Sequence, residues 1–239
     1  MIELLNFSKS YPKSSFSIEN LSMNVKNGSI TGLLGVNGSG KTTILKAICG
    51  FHFPSGGTIT IDGVNTEDFP EKTMELIGYV PEISQLPVNM VVSDFLAYAG
   101  ETHGIQGDDL NKAIELVTKE CSLENLLTKK IKTLSKGQQQ RVSFAQAIIH
   151  NPPNLVLDEP VSGLDPAQII QMRDLISKLA KTKAVLMSTH ILQEVYSLCS
   201  TIYVMNNGKI VGQGSEEDIV KATGADNLEQ AFLKLSVNY

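Results

Sequence analysis

The stretch Gly35-Val36-Asn37-Gly38-Ser39-Gly40-Lys41-Thr42 decides the fold class. Its spacing, G-x-x-x-x-G-K-[ST], is that of a phosphate-binding loop, in which glycines let backbone N–H groups surround phosphate oxygens. Lys41 supplies a positive charge to the same oxygens, and the Thr42 hydroxyl is a ligand for Mg²⁺. The alternative interpretation is a glycine-rich turn that carries a lysine by chance.

The residues on either side have the character that a phosphate-binding loop requires. Ser29-Ile30-Thr31-Gly32-Leu33-Leu34 is typical of a buried strand, and Ile44-Leu45-Lys46-Ala47-Ile48 is typical of a helix. The N-terminus of such a helix presents unpaired N–H groups and the positive end of its dipole to an anion. The residues predicted to contact the phosphates are Asn37, Gly38, Ser39, Gly40, Lys41, Thr42 and Thr43.

Composition and charge limit the class of protein. The chain has 239 residues, 42% of them hydrophobic and 19% charged, which is enough for one large α/β core. The formal net charge of −5 argues against non-specific nucleic-acid binding, which needs clustered Lys and Arg. Cys49, Cys121 and Cys199 are odd in number and far apart, so we expect core residues rather than a disulfide framework or a zinc site.

Strand and helix patterns indicate an α/β fold. Alternating apolar residues at 2–7 and 16–25 predict an antiparallel pair, and 58–61 and 77–80 predict further strands. The pattern is helical from about 91 to 127. Strands and helices alternate after that, which predicts parallel strands with right-handed crossovers.

Two acidic residues end a strongly apolar strand. Asn154-Leu155-Val156-Leu157 predicts a buried strand that closes with Asp158 and Glu159. Ligands of open α/β sheets bind at the carboxyl ends of the strands. Asp158 can hold Mg²⁺ directly or through water, and Glu159 can polarise an attacking water. The alternative is a strand that ends in a solvated acidic turn.

A further segment, Leu134-Ser135-Lys136-Gly137-Gln138, opens a helix, with Ser135 as a good N-cap and Gly137 permitting close approach of an anion. Together with the motifs above, it resembles the ATP-binding subunit of ABC transporters, whose signature is usually Leu-Ser-Gly-Gly-Gln. The other motifs follow in the family's order: Tyr11 at the adenine-stacking position, the Walker A loop at 35–43, the Walker B strand at 154–159, the D-loop Ser162-Gly163-Leu164-Asp165, and the switch histidine of Ser188-Thr189-His190. The resemblance runs from about residue 2 to 215.

The resemblance implies a P-loop NTPase core with a mostly parallel sheet, an N-terminal antiparallel β subdomain and a small α-helical subdomain. The expected regions of this single ABC ATPase domain are 1–87 and 134–215 for the core, 88–133 for the helical subdomain and 216–239 for a C-terminal helical tail. In the family, a groove between core and helical subdomain receives a coupling helix of the membrane subunit. Candidates to line it are Val91, Val92, Phe95, Leu96 and Tyr98, most of which we expect to pack in the core.

The resemblance also implies a head-to-tail pair in which each ATP lies between one Walker A loop and the other subunit's signature. Lys41, Glu159 and His190 would then be catalytic, and Thr42, Asp158 and Glu82 would contact Mg²⁺. The residues expected to bind ATP are Tyr11, Asn37, Gly38, Ser39, Gly40, Lys41, Thr42, Thr43, Ser135, Gly137, Gln138 and Asp165.

Two residues depart from the usual family pattern. Glu82 stands where glutamine is common, and a carboxylate there can still ligate Mg²⁺ but adds negative charge near the γ-phosphate. Lys136 stands where glycine is usual; it either offsets charge at the dimer interface or is a solvated lysine. Both residues, and the C-terminal Leu228-Glu229-Gln230-Ala231-Phe232-Leu233, resemble the exporter-type subgroup.

Partners and location follow from the same comparison. We expect a separate transmembrane permease, a second ATPase subunit that is a copy of this chain, and no nucleic acid. No stretch approaches the ~20 apolar residues of a membrane-spanning helix, so the protein is expected at the cytoplasmic face of a membrane through its partner. The alternatives are an ABC-type switch on a ribosome or nucleic acid, and a non-hydrolysing switch. His52, His103 and His150 match no motif and are expected in loops or at the surface.

Overall fold

The computed structural model describes residues 1–12 and 16–237. Within these residues, ten strands form a sheet of four strands and a sheet of six. The strands are β1 (Ile2–Ser10), β2 (Ser17–Val25), β3 (Ser29–Gly35), β4 (Gly56–Ile61), β5 (Val64–Asn65), β6 (Ile77–Val80), β7 (Asn154–Asp158), β8 (Ala184–Thr189), β9 (Thr201–Asn206) and β10 (Lys209–Gly214). The α-helices are α1 (Lys41–Ile48), α2 (Pro70–Glu75), α3 (Val92–Thr102), α4 (Gly107–Glu120), α5 (Lys136–Ile148), α6 (Pro166–Ala180), α7 (Leu192–Leu198), α8 (Glu216–Thr223) and α9 (Leu228–Val237).

The six-stranded sheet has the strand order β10-β9-β3-β8-β7-β6. The five strands from β9 to β6 are mutually parallel, and β10 adds to the edge as the antiparallel arm of a hairpin. The prediction of a mostly parallel sheet is therefore confirmed. Because parallel strands end at one edge, the loops after β3, β6, β7 and β8 open on the same side of the molecule.

The central strands of this sheet are buried on both faces. Every residue of β7 and β8 is buried, as expected for parallel strands that are covered on both sides. Val156 packs into the core formed with α1 and the four-stranded sheet. Its neighbours Leu155 and Leu157 pack into the core formed with α5 and α6. This alternation fixes the direction in which β7 delivers its terminal acidic residues.

The four-stranded sheet has the order β2-β1-β4-β5 and is antiparallel throughout. Its strands carry the alternating pattern of a sheet with one covered face, with Ile18, Leu21, Met23 and Val25 of β2 buried. This confirms the predicted N-terminal antiparallel pair. The loop between β1 and β2 includes residues 13–15, which lie outside the described residues.

The helices after β6 and the C-terminal helices form the remaining layers. α3 and α4 pack against each other and against α5. The helical tail consists of two helices that pack beside β9 and β10, where Leu228 and Ala231 are fully buried. Three elements were not anticipated from the sequence: the two-residue strand β5, the six-residue α2 and the edge strand β10. No helix within 1–12 and 16–237 is both long and apolar enough to cross a lipid bilayer.

Candidate functional site

The glycine-rich loop leaves β3 at the carboxyl edge of the sheet and leads directly into α1. Gly38 and Gly40 have positive φ angles of 82° and 111°, a region that side chains disfavour. A Cβ on Gly40 would also lie 2.9 Å from the Phe16 ring. The loop therefore needs glycine at both positions to present the N-terminus of α1, with its unpaired N–H groups, to an anion.

The Lys41 ammonium group lies inside this loop. Its Nζ donates to the carbonyl oxygens of Gly35 at 2.8 Å and Val36 at 3.3 Å, and lies 3.8 Å from Glu159 Oε1. Burial lowers the pKa of Lys41, and the carboxylates of Glu159, Asp158 and Glu82 oppose that shift. Neutral carbonyls hold the ammonium in place while its charge remains available to a phosphate oxygen.

Ser39 is the most enclosed polar side chain of the loop. Its backbone is tied to Val36 and Gly208, and its Oγ is buried without a hydrogen-bond partner in the described part of the chain. Unpaired buried hydroxyls are costly and uncommon. Ser39 Oγ lies on the inner side of the loop, where a Cβ on Gly35 would come within 2.6 Å of it, so this hydroxyl packs the loop against β3 and does not face the cleft.

Asp158 and Thr42 bring two oxygens together at the base of the loop. Thr42 Oγ1 lies 3.4 Å from Asp158 Oδ1, which also accepts a 2.6 Å hydrogen bond from Ser188 Oγ. Hydroxyl and carboxylate oxygens are ligands that Mg²⁺ prefers in proteins, so Thr42 and Asp158 are the residues that would hold the ion here. No cluster of three His, Cys, Asp or Glu side chains suited to a metal occurs among the described residues.

Glu159 lies between Lys41 and His190. Its Oε2 is 2.9 Å from His190 Nδ1, and its backbone N–H donates to Ser188 Oγ at 3.1 Å. The Glu159 side chain is only 8% exposed, whereas that of His190 is 46% exposed. A buried carboxylate fixed by a histidine and a lysine can orient and deprotonate a water molecule.

Several of these residues line one cleft of about 460 Å³. Its lining residues are Phe16, Asn37, Gly38, Gly40, Lys41, Thr42, Thr43, Glu82, Glu159 and His190. The structure thus brings together most residues predicted for one half of the site, including Glu82. Sequence reasoning gave no role to Ser188, which contacts both Asp158 and Glu159. The adjacency of β7 and β8 at one sheet edge is the signal that would have indicated it.

Tyr11 does not line this cleft. Its ring packs edge-on against His52 with centroids 5.9 Å apart, and the Lys9 ammonium lies 5.4 Å from its centroid. Phe16, which the sequence did not single out, is the aromatic residue in the cleft wall. The role of Tyr11 toward adenine stays a prediction, and the structure adds Phe16 as a second candidate.

The signature residues lie elsewhere in the same chain. Ser135 caps α5 and forms a capping box with Gln138, so both side chains hold the start of the helix. Gly137 contributes instead to a cavity of about 200 Å³ between α5 and α6. Asp165 caps α6 by accepting from Gln168 N at 2.9 Å. One copy of the chain therefore carries the Lys41 half and the Ser135 half of the predicted site on separate elements.

A second concavity, of about 830 Å³, lies beside the cleft between α1, β6, α3 and α5. Exposed apolar side chains at its rim include Phe51 at 61%, Met74 at 56% and Ile83 at 76%. Among the residues considered for this groove, Phe95 lines it, Val92 and Leu96 are buried, and Tyr98 is exposed.

Two of the other histidines meet in this groove. The rings of His103 and His150 stack at 3.7 Å, and His150 Nε2 lies 3.2 Å from the Ile77 carbonyl oxygen. His150 is thus partly buried rather than in an exposed loop. Its stacking on His103 was not predicted from the sequence.

The strand–loop–helix geometry and the acidic residues at the adjacent strand ends define a P-loop nucleotide-binding protein. The family model for ABC transporters matches residues 18–162, and the chain belongs to that family. It is 30% identical over 219 residues to the "ABC transporter ATP-binding protein NatA" of Bacillus subtilis (strain 168), covering 91% of this chain and 89% of that protein. It is 32% identical over 214 residues to the "Nod factor export ATP-binding protein I" of Burkholderia lata, covering 89% of this chain and 70% of that protein.

Solved structures agree with this assignment. "Structure of ATP binding subunit of ABC transporter" superposes with a TM-score of 0.89 at 28% identity, covering 98% of this chain and 99% of that one. "Dimeric Structure of MJ0796, a Bacterial ABC Transporter Cassette" superposes with a TM-score of 0.80 at 27% identity, covering 90% and 98%. The chain is thus an ATP-binding, ATP-hydrolysing cassette with the P-loop NTPase fold.

Proposed function

We propose that the chain powers a transporter as one of two identical ATPase subunits, with two ATP molecules held between them in a head-to-tail arrangement. The observation that carries this proposal is the separation of Lys41 from Ser135, Gly137 and Asp165 within one chain. A second copy turned by a two-fold axis would complete two sites at once. The dimeric relative supports this arrangement.

Each residue then has a definite task in hydrolysis. Lys41 and the loop residues bind the phosphates, and Thr42, Asp158 and Glu82 hold Mg²⁺, which neutralises charge on the β- and γ-phosphates. Glu159 orients the attacking water and accepts its proton as the bond from the γ-phosphorus to the leaving oxygen breaks. His190 holds Glu159 and reaches the γ-phosphate. The signature residues Ser135, Gly137 and Gln138, with Asp165, act on the other subunit's ATP.

The coupling to transport is the second part of the proposal. The groove rimmed by Phe51, Met74 and Ile83 is the docking surface for a helix of a separate transmembrane permease, so the chain works at the cytoplasmic face of the membrane. Residues 88–133 would move as a helical unit against the core at 1–87 and 134–215, with 216–239 as a docked tail. Glu82, Lys136 and the Leu228–Leu233 motif, together with the name of one relative, favour export.

ATP-dependent association of Glu159→Gln tests the proposal. Without its base, the site should bind ATP but hydrolyse it about 100-fold or more slowly, because general-base catalysis contributes at least that factor. The variant should therefore form a stable dimer with ATP and Mg²⁺ in light scattering, while wild type associates transiently and releases phosphate. Glu124→Gln, the same change at an exposed carboxylate, is the matched control and should behave as wild type. A Glu159→Gln protein that binds ATP and stays monomeric would contradict the homodimer.

A further inference from the structure

A partly buried ion pair joins α6 to α7. Arg173 Nη2 donates to Glu194 Oε1 at 2.7 Å, and Arg173 Nε donates to Glu194 Oε2 at 3.3 Å. The Glu194 side chain is 2% exposed and that of Arg173 is 27% exposed. Two donors of a rigid guanidinium facing two carboxylate oxygens fix both distance and orientation between the helices.

Each helix of this pair follows one member of the Glu159–His190 contact. After Glu159 the chain makes a tight turn, in which Ser162 N donates to the Glu159 carbonyl oxygen at 3.1 Å, and α6 then starts at Pro166. After His190 the backbone is held by a hydrogen bond from Ile191 N to Thr189 Oγ1 at 3.0 Å, and α7 starts at Leu192. Both helices therefore begin shortly after the residues of this contact, so a shift of either helix is transmitted to the segment that carries Glu159 or His190.

Burial of Glu194 is not explained by stability alone. A buried ion pair is desolvated at a cost that often cancels its attraction, so an apolar pair could hold two helices equally well. What the charged pair adds is a defined geometry. The His190 ring is 46% exposed and contacts Glu159 at 2.9 Å, so this contact depends on where the backbone after β8 places the ring.

We propose that Arg173 and Glu194 are positioning residues for ATP hydrolysis, which keep His190 Nδ1 within hydrogen-bond reach of Glu159 by fixing α7 against α6. The proposal rests on the roles given above to Glu159 and His190. Neither Arg173 nor Glu194 lines the nucleotide cleft, so they act through His190 and not on ATP.

The test is a double-mutant cycle with single-turnover phosphate release. Arg173→Lys keeps the charge but loses the two-donor geometry, and Glu194→Gln keeps the shape but loses the charge. Each should lower kcat roughly 10- to 100-fold, the cost of a small misplacement of a catalytic group, and leave KM for ATP within about twofold because the P-loop is untouched. In a His190→Ala background, neither should lower the rate further, because effects that act through one residue are not additive.

The controls separate this inference from general destabilisation. Lys178→Ala breaks a second ion pair of α6, from Lys178 Nζ to Glu120 Oε1 at 3.7 Å, which joins α6 to α4 and not to α7, and should leave kcat unchanged. Arg173→Lys retains a positive charge on a side chain of similar length, so this variant can carry the test if Glu194→Gln folds poorly. Wild-type kcat in Arg173→Lys, or equal losses in the wild-type and His190→Ala backgrounds, would overturn the inference. Full activity of His190→Ala would instead refute the role of His190 itself, and this inference with it.

Discussion

Glu159 adopts a left-handed backbone conformation, with φ of 48°, at the point where β7 leaves the sheet. Such a conformation costs of the order of 1–3 kcal/mol for a residue with a side chain, and it persists where the surroundings impose it. Here Ser188 receives the backbone N–H and also donates to Asp158. Consecutive side chains of a regular strand point to opposite faces of the sheet. The left-handed turn at Glu159 interrupts this alternation, so Asp158 contacts Thr42 and Glu159 contacts His190.

His150 illustrates how a residue without a motif influences stability. Burial, and then the stacked His103, lower the pKa of His150 to about 4, while the hydrogen bond to Ile77 opposes the shift. The unfolded chain would bind a proton near pH 6.5. As the pH falls from about 6.5 toward 4, His150 binds a proton in the unfolded state but stays neutral in the native state. The free energy of unfolding therefore decreases over this pH range.

His150→Gln should reduce this loss, since the Gln amide nitrogen can take the place of His150 Nε2 beside the Ile77 carbonyl but does not titrate. We expect the decrease in unfolding free energy between pH 7 and pH 5 to be about 1–2 kcal/mol smaller in the variant. Urea unfolding at both pH values measures it. Parallel curves for the two proteins would show that His150 titrates normally in the folded state.

Contiguous motifs made much of the site predictable at this scale. The loop at 35–43 and the pair Asp158-Glu159 can each be identified from a few consecutive residues. Their meeting at one edge of the sheet follows from the parallel topology. Phe16, Ser188 and the pair Arg173–Glu194 were not predictable, because they meet their partners only through packing between distant segments.

At the scale of elements, burial decided which strands could be predicted. Every residue of β7 and β8 is buried, and the limits of β7 agree with the sequence pattern. β10 lies at the sheet edge, is partly exposed and contains two glycines, so its pattern resembles that of a loop. α2 is too short to show a helical period.

The contact of α5 with β6 leads to a prediction about packing. A Cβ on Gly78 would lie 2.2 Å from the Ala147 carbonyl oxygen and 2.9 Å from Leu155 Cδ2, so the helix would have to move off the sheet. Gly78→Ala should therefore lower the free energy of unfolding by about 2 kcal/mol or more, the cost of overpacking a closed core. Thermal and urea denaturation measure the change.

Gly56→Ala is the matched control for this substitution. Gly56 also lies in a strand, and its added Cβ would meet Ser8 Cβ at 3.7 Å, an ordinary van der Waals contact. We expect its effect to stay within about 0.5 kcal/mol, as for most surface changes. Equal effects of the two substitutions would mean that α5 adjusts freely on β6.

At the scale of the whole molecule, the chain carries two half-sites on separate elements. The Lys41 half opens at the carboxyl edge of the larger sheet, and the Ser135 half lies at the start of α5. In a two-fold dimer each half would meet its complement from the other copy. This arrangement predicts that defects in opposite halves can complement each other in mixed dimers.

Lys41→Ala removes the phosphate cation, and Ser135→Asp places a carboxylate beside the partner's γ-phosphate while keeping a good N-cap for α5. Each variant alone should be inactive, since both of its sites carry the defect. In an equal mixture, half of the dimers combine the two chains, and one of their two sites unites intact halves. The ATPase rate should recover to roughly a quarter of wild type if the sites act independently. Mixing Lys41→Ala with Thr42→Ala is the control, because both defects lie in the same half and no intact site can form. If the first mixture gained neither phosphate release nor ATP-dependent association over its separate components, the site would not be shared between copies, and Ser135 would have to act by another route.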